Sequence, residues 1–284
     1  MHRKYIKFFI FVGVVTLLST FPLTGETILW NGSYSADFEY DSNWNGGSVP
    51  ENNSTSDKAR ISSSPTYMPS LSRDRELLNL DLNIGGLTLG GSGYQLTVGG
   101  GGIDSSGSGV NTIQFNVNAA DASGQTWIVD SGNTLTLNGN LNGNPNYLIL
   151  NSADGGNLNF NGSNNTFSGS LYLDGNTDQS GVVTITGKMD SLDDLRVANS
   201  NGDKATLSLT GDSASIETSS TITVGNKGVG IFDIESGAKV TANHNTVIGF
   251  TTGSNGTINL SGSDSSYTQA GGQLKIGHDA TGSL

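Results

Sequence analysis

The 284-residue chain holds no cysteine, 41 glycines and 25 acidic against 13 basic residues, for a formal net charge of −12. Stability therefore takes nothing from disulfides, and nucleic acid is excluded as a partner because phosphate binding needs clustered Lys or Arg. Only 13% of the residues are charged, about half the usual ~25%, but the apolar residues alternate with polar ones instead of scattering, so the chain reads as folded.

Arg3, Lys4 and Lys7 precede an apolar run from Phe8 to Leu18, and a short polar stretch leads to Leu23-Thr24-Gly25. The apolar run is too short for a spanning helix, which needs about 20 residues. The layout predicts a secretory signal over residues 1–25 with cleavage near Gly25, a retained membrane anchor being the alternative. Removing it takes away basic groups only and leaves the exported part more acidic still.

Residues 26–79 differ from the rest of the chain. They carry Trp30 and Trp44, hold three of the five prolines (Pro50, Pro65 and Pro69), and show no regular spacing. A stack of β-coils exposes apolar surface and unpaired backbone at its first coil, so this segment is expected to be an N-terminal cap. The two indoles suit that role, each burying about 150–250 Å²; a sugar-stacking platform is the competing reading.

From about Leu80 the pattern is regular. LNLDLNIGGLTLGG, TIQFNVN, QTWIVD, NTLTLNGNL, NLNFNG, SLYLDG and VVTITG alternate apolar and polar residues and close on turn residues, chiefly glycine. Such runs are strands with one buried face, and glycine supplies the positive φ of the turns. The last third repeats a longer block. Val197-Ala198 recurs as Val224-Gly225, Ile248-Gly249 and Ile276-Gly277, in steps of 27, 24 and 28 residues. Each block contains three short runs, for example TITVG, GIFDIESG and AKVTA. Three runs in a unit of this length predict one coil of a three-sided, right-handed parallel β-helix over residues 80–284, with ~8 coils stacked about 4.8 Å apart in a rod ~40 Å long. A β-sandwich is the alternative, since short strands at close spacing also permit it.

The string GNLNFNGSNNTFSGSLYLDG carries Gly156, Leu158, Phe160 and Gly162, then Asn165, Thr166, Phe167 and Gly169. It resembles the autotransporter-associated β-strand repeat, in which a Gly-x-Leu-x-Leu-x-Gly stretch is followed by an Asn-Thr-aromatic-x-Gly turn and a further strand. QTWIVDSGNTLTLNGNLNG is similar to the coil that comes before that repeat, and the opening with Trp30, Trp44 and Pro50 to the start of passenger-like proteins. The resemblance implies a bacterial β-helix, secreted or on the outer-membrane exterior, in a longer protein with a C-terminal membrane barrel or sorting signal. Neither is seen in this sequence. Thr281-Gly282-Ser283-Leu284 matches the strand start at Gly256-Thr257-Ile258, so the chain is expected to be a truncated fragment whose last coil is unfinished.

Chemistry-bearing motifs are sparse. GGGGIDSSG from Gly99 has the letters of a calcium-binding nonapeptide, but that site needs tandem copies; the stretch reads as a glycine turn between coils, with Ser106 where an inward apolar residue should stand. His244 and His278 lack a second ligand at metal spacing and read as solvated turn residues. Asp190, Asp193 and Asp194 beside Arg196 form the only close acidic group with a nearby base. Glycoside hydrolysis needs two carboxylates about 5–9.5 Å apart, and adjacent residues on one strand face opposite ways, so the group reads as a loop ahead of the strand LRVA. No catalytic, cofactor or metal residues are assigned, and no cofactor is expected. The expected function is a non-catalytic exported stalk or adhesin-like passenger whose partner is an extracellular polysaccharide or a cell-surface receptor, bound through many weak contacts. The alternative is a secreted carbohydrate-binding or polysaccharide-degrading β-helix protein.

Overall fold

A computed structural model describes residues 25–152, 155–175 and 181–284; the expected export segment thus lies, but for Gly25, outside the described residues. The chain is all-β, with 51% strand and 2% helix, and its parallel sheets form a β-solenoid of about 9 turns. At about 4.8 Å per turn the stack is ~40 Å long. All pairings between the strands described are parallel, which excludes the face-to-face antiparallel sheets of a sandwich.

Each turn visits three faces. In one representative turn, Leu195–Val197 lies on face one, Lys204–Thr210 on face two and Ser215–Thr218 on face three. The next turn repeats this with Ile222–Val224, Val229–Glu235 and Lys239–Ala242, the three runs expected from the sequence. Face-one registers pair Leu195 with Ile222, Ile222 with Thr246 and Thr246 with Leu274. These steps of 27, 24 and 28 are those read from the Val-Gly blocks. At the end of the chain Gly256 pairs with Gly282 and Thr257 with Ser283, the match anticipated for the last residues.

Alternation explains the core. Inward residues stack in columns, one of which runs Ala59, Leu80, Ile103, Trp127, Leu150, Leu173, Val197, Val224, Ile248 and Ile276. On face two, Leu89, Ile113, Leu137, Phe160, Ile185, Leu209 and Ile234 form another. The columns are buried along their length until the last turn, where Leu260, Leu274 and Ile276 are exposed. Trp127 fits an inward position because its indole N–H donates to Gln125 at 2.7 Å, and Gln125 donates to the Val98 carbonyl at 3.1 Å. A buried polar group held this way costs little.

The parallel stack reaches back beyond residue 80. Thr27–Leu29 pairs with Lys58–Ile61, which pairs with Arg75–Leu82, so the segment expected as a cap contributes strands to face one. Its loop still covers the first coil. Trp30, Phe38 and Trp44 are buried together, with Phe38–Trp44 centroids 4.7 Å apart and Trp30–Trp44 5.0 Å apart, both edge-on. The Trp44 indole donates to the Phe38 carbonyl at 2.8 Å and the Trp30 indole to the Tyr67 carbonyl at 3.1 Å. Neither ring has a face free for a sugar. Asn43, fully buried, accepts from the backbone N–H of Tyr34 and Ser35 and donates to the Asp37 carbonyl. Arg75, buried in the first strands, stacks over Phe38 at 5.4 Å and donates to Glu39 at 3.2 Å, tying this loop to the stack.

The glycine run at Gly99 is a correction. It is no turn between coils: it lies inside one strand, Gln95–Ser105, whose first half pairs with Asn116–Ala119 and whose end pairs with Ile128–Val129. The register slips beside it, Leu77 facing Val98 and Asn79 facing Gly102. The glycines carry a continuous strand around a corner, where bulges and missing side chains allow a sharp bend. The inward residue is Ser105, not Ser106, and it accepts hydrogen bonds from Asn111 at 3.0 Å and Asn133 at 2.8 Å.

Candidate functional site

The Asn-Thr-Phe turn is structural. Asn165 occupies an inward column position next to Leu141 and is buried. Its Oδ1 accepts from the Leu141 N–H at 2.7 Å, while its Nδ2 donates to the carbonyls of Lys188 at 2.8 Å and Gly162 at 3.0 Å. The side-chain amide thus replaces ladder bonds that the backbone loses where it bends. Phe167, two residues on, is fully buried.

The acidic group is divided by the fold. Asp190 lies in the strand Lys188–Leu192 and accepts from Ser215. Asp193 and Asp194 follow it, ahead of the strand Leu195–Val197, as the sequence suggested. Asp193 faces one surface depression, beside Ser191 and Ser219, and accepts from Ser170 and Ser219 at 3.4 and 3.3 Å. Asp194 faces another and accepts from the Arg196 Nε at 2.7 Å. Burial pushes the Asp194 carboxyl above the usual range, against the opposing pull of Arg196. The two neighbours do not converge on one point.

The depression at Asp194 is a groove of about 340 Å³ on the outer side of face one. Register builds it. Tyr172, Arg196, Thr223, Val247 and Lys275 stand in one outward column on successive turns. Four of these turns, from Arg196 to Lys275, line it and span about 14 Å along the stack. Thr223 and Val247 are only 6% and 7% exposed, although they point away from the core. They form the floor. Phe250 stands at the side, 40% exposed, with its ring 5.5 Å from that of His278. Toward the other end, the Arg196 guanidinium lies 4.7 Å over Tyr172, which stacks on Tyr147 at 6.0 Å. The two histidines read as solvated turn residues are both exposed in bends; His278 also lies beside the Phe250 ring and 3.2 Å from Asp279.

Among the described residues no group of three or more His, Asp or Glu could hold a metal ion, and no helix is long and apolar enough to cross a membrane. No protein-family model matches the chain, nor does any curated protein or any solved structure. The fold and the site together define a parallel β-solenoid with a floored groove across four turns of one face. Sequence reasoning missed the groove, although Val247-Ile248 carried a signal: two successive apolar residues in a strand cannot both face inward.

Proposed function

We propose that the protein is a non-catalytic, exported β-solenoid that works as a surface stalk or adhesin-like passenger. The observation that carries this reading is the unbroken parallel ladder. Face one pairs turn upon turn from Thr27 to Ile276, giving a stiff rod with apolar columns inside and Thr, Asn, Ser and Asp outside. Such a rod displays a long polar surface and adds weak contacts along its length. The basic-then-apolar N-terminal stretch accords with export, and the resemblance to the autotransporter-associated repeat points to a bacterial exterior.

A polysaccharide-degrading enzyme is the competing reading. Asp194, an acid whose protonation burial favours, is the group such a reaction would use. Its nearest carboxylate neighbour in sequence faces a different depression, and Arg196 occupies one of its oxygens. The geometry therefore favours binding over cleavage. Fractionation of producing cells, with protease added to intact cells, tests the proposal. The chain should be found in the medium or be digested from outside; a chain protected inside the cytoplasm refutes export. Reproducible depolymerisation of any polysaccharide, abolished in Asp194→Asn, refutes the non-catalytic part.

A further inference from the structure

The groove on face one is built in a way that the rod's stability does not require. Val247 is buried but lies outside the hydrophobic core cluster, so its shielding comes from the walls around it. Those walls combine an exposed aromatic side chain, Phe250, with the hydrogen-bonding groups of Asp194, Ser220, Thr221 and Asn245. Asp194 anchors the polar wall: its side chain is 9% exposed, and Oδ2 accepts from the Arg196 Nε at 2.7 Å.

We infer that this groove binds a neutral, hydroxyl-rich glycan chain, seating one or two pyranose rings at a time. The inference deepens the display-rod reading and rests on it. A pyranose has an apolar C–H face and an edge of hydroxyls, and the groove offers both counterparts. Val247, Thr223 and the Phe250 ring supply apolar contact, and Asp194, Ser220, Thr221 and Asn245 form the polar side. The volume, about 340 Å³, falls at the small end of ligand clefts, which suits a short stretch of a longer polymer. Because the lining comes from successive turns, the groove runs across the strands and lets a linear chain pass along the stack toward the Tyr172–Tyr147 pair. Charge selects the neutral class. Arg196 is compensated by Asp194, leaving Lys275, among the described residues, as the lining's one uncompensated cation, on a chain with net charge −12 that repels polyanions.

Isothermal titration of the full chain with cellohexaose and hexa-N-acetylchitohexaose, and with hexagalacturonate as the acidic comparator, tests this. At least one neutral hexamer should bind, with an affinity that changes by less than about twofold between low and high salt, since no ion pair carries it. Phe250→Ala, at an exposed site where the fold is kept, should weaken binding roughly tenfold, whereas Lys239→Ala, exposed on face three away from the groove, should leave it nearly unchanged. Preference for hexagalacturonate with steep salt dependence overturns the neutral class. Failure of both neutral hexamers to bind at millimolar concentration, or indifference to Phe250→Ala, overturns the groove assignment. A chain that reaches the cell exterior but binds neither hexamer removes the glycan inference alone; a cytoplasmic chain removes the rod reading, whatever the groove binds.

Discussion

Gly225 and Ala198 occupy equivalent corners of successive turns, and together they test whether the corner conformation is what the Val-Gly repeat encodes. Gly225, Gly249 and Gly277 have φ of 70°, 71° and 67°, and Ala198 adopts 56° at the same place. A left-handed conformation costs a residue bearing Cβ roughly 1–2 kcal/mol. At Gly225 space is also lacking: a Cβ there would stand 2.4 Å from the Asn255 carbonyl oxygen and 2.5 Å from its carbon, both backbone atoms of the following turn. Relieving that overlap must shift a paired strand, at a typical overpacking cost of about 1–3 kcal/mol. The smaller unfolded-state entropy of alanine returns about 0.4–1 kcal/mol. Gly225→Ala should therefore lose about 2–4 kcal/mol, a large part of a domain stability of ~5–15 kcal/mol. Ala198→Gly works the other way, releasing the strain but giving up a buried methyl worth about 0.8 kcal/mol and raising unfolded-state entropy, so it should be close to neutral. Urea denaturation followed by circular dichroism reads both, with the m-value checked because solenoids can unfold in stages. A Gly225→Ala cost below about 0.5 kcal/mol, or an Ala198→Gly cost as large as that predicted for Gly225→Ala, refutes the argument.

The buried amide at the Asn165 turn should be as unforgiving. Asn165→Ala strands the Leu141 N–H and the Gly162 carbonyl and should cost about 2–4 kcal/mol in the same assay, while a loss under about 0.5 kcal/mol would show that water or a local shift fills the gap. Trp44→Ala removes a ring packed on Phe38 and Trp30 at the first coil and should cost about 3–5 kcal/mol; an unchanged urea midpoint would mean that the loop does not seal the stack. Stability should also rise on mild acidification. Burial raises the carboxyl pKa of Asp104, Asp194 and Asp203, reinforced at Asp104 by Asp81 and Asp130 and at Asp203 by Asp174. Their folded pKa values lie above the unfolded ones, so between the two the native state binds more protons and stability falls as pH rises. The melting temperature should then be higher near pH 5 than at pH 7, with the gain complete near the unfolded value of about 4; a melting temperature that only drops over that interval contradicts the assignment.

The same physics decides what the sequence could and could not tell. The fold was legible because a solenoid turns a one-dimensional repeat into its register. Val197, Val224, Ile248 and Ile276 are equivalent in sequence and stacked in space, so counting the steps was already counting the pairing. The start of the stack was less legible. Thr27 pairs with Lys58, and Lys58 with Asn79, steps of 31 and 21 that share no motif because the insertion between the first two strands holds the aromatic loop. The glycine run at Gly99 misled because a glycine that ends a strand and one that bends it look alike in sequence; only the second partner strand of Gln95–Ser105 tells them apart.

The groove was hidden for a different reason. Arg196, Val247 and Lys275 lie in blocks tens of residues apart, and each alone reads as ordinary outward polarity or as core. Once the register is fixed, the reasoning can be reversed: any apolar residue at an outward position of a strand is unexplained by the core and calls for a neighbour that shields it. Val247 meets that condition through the residues of the turns around it. In a fold whose inward columns are read directly from alternation, the outward exceptions to alternation are where binding surfaces should be sought, because the rod itself gives no reason for them.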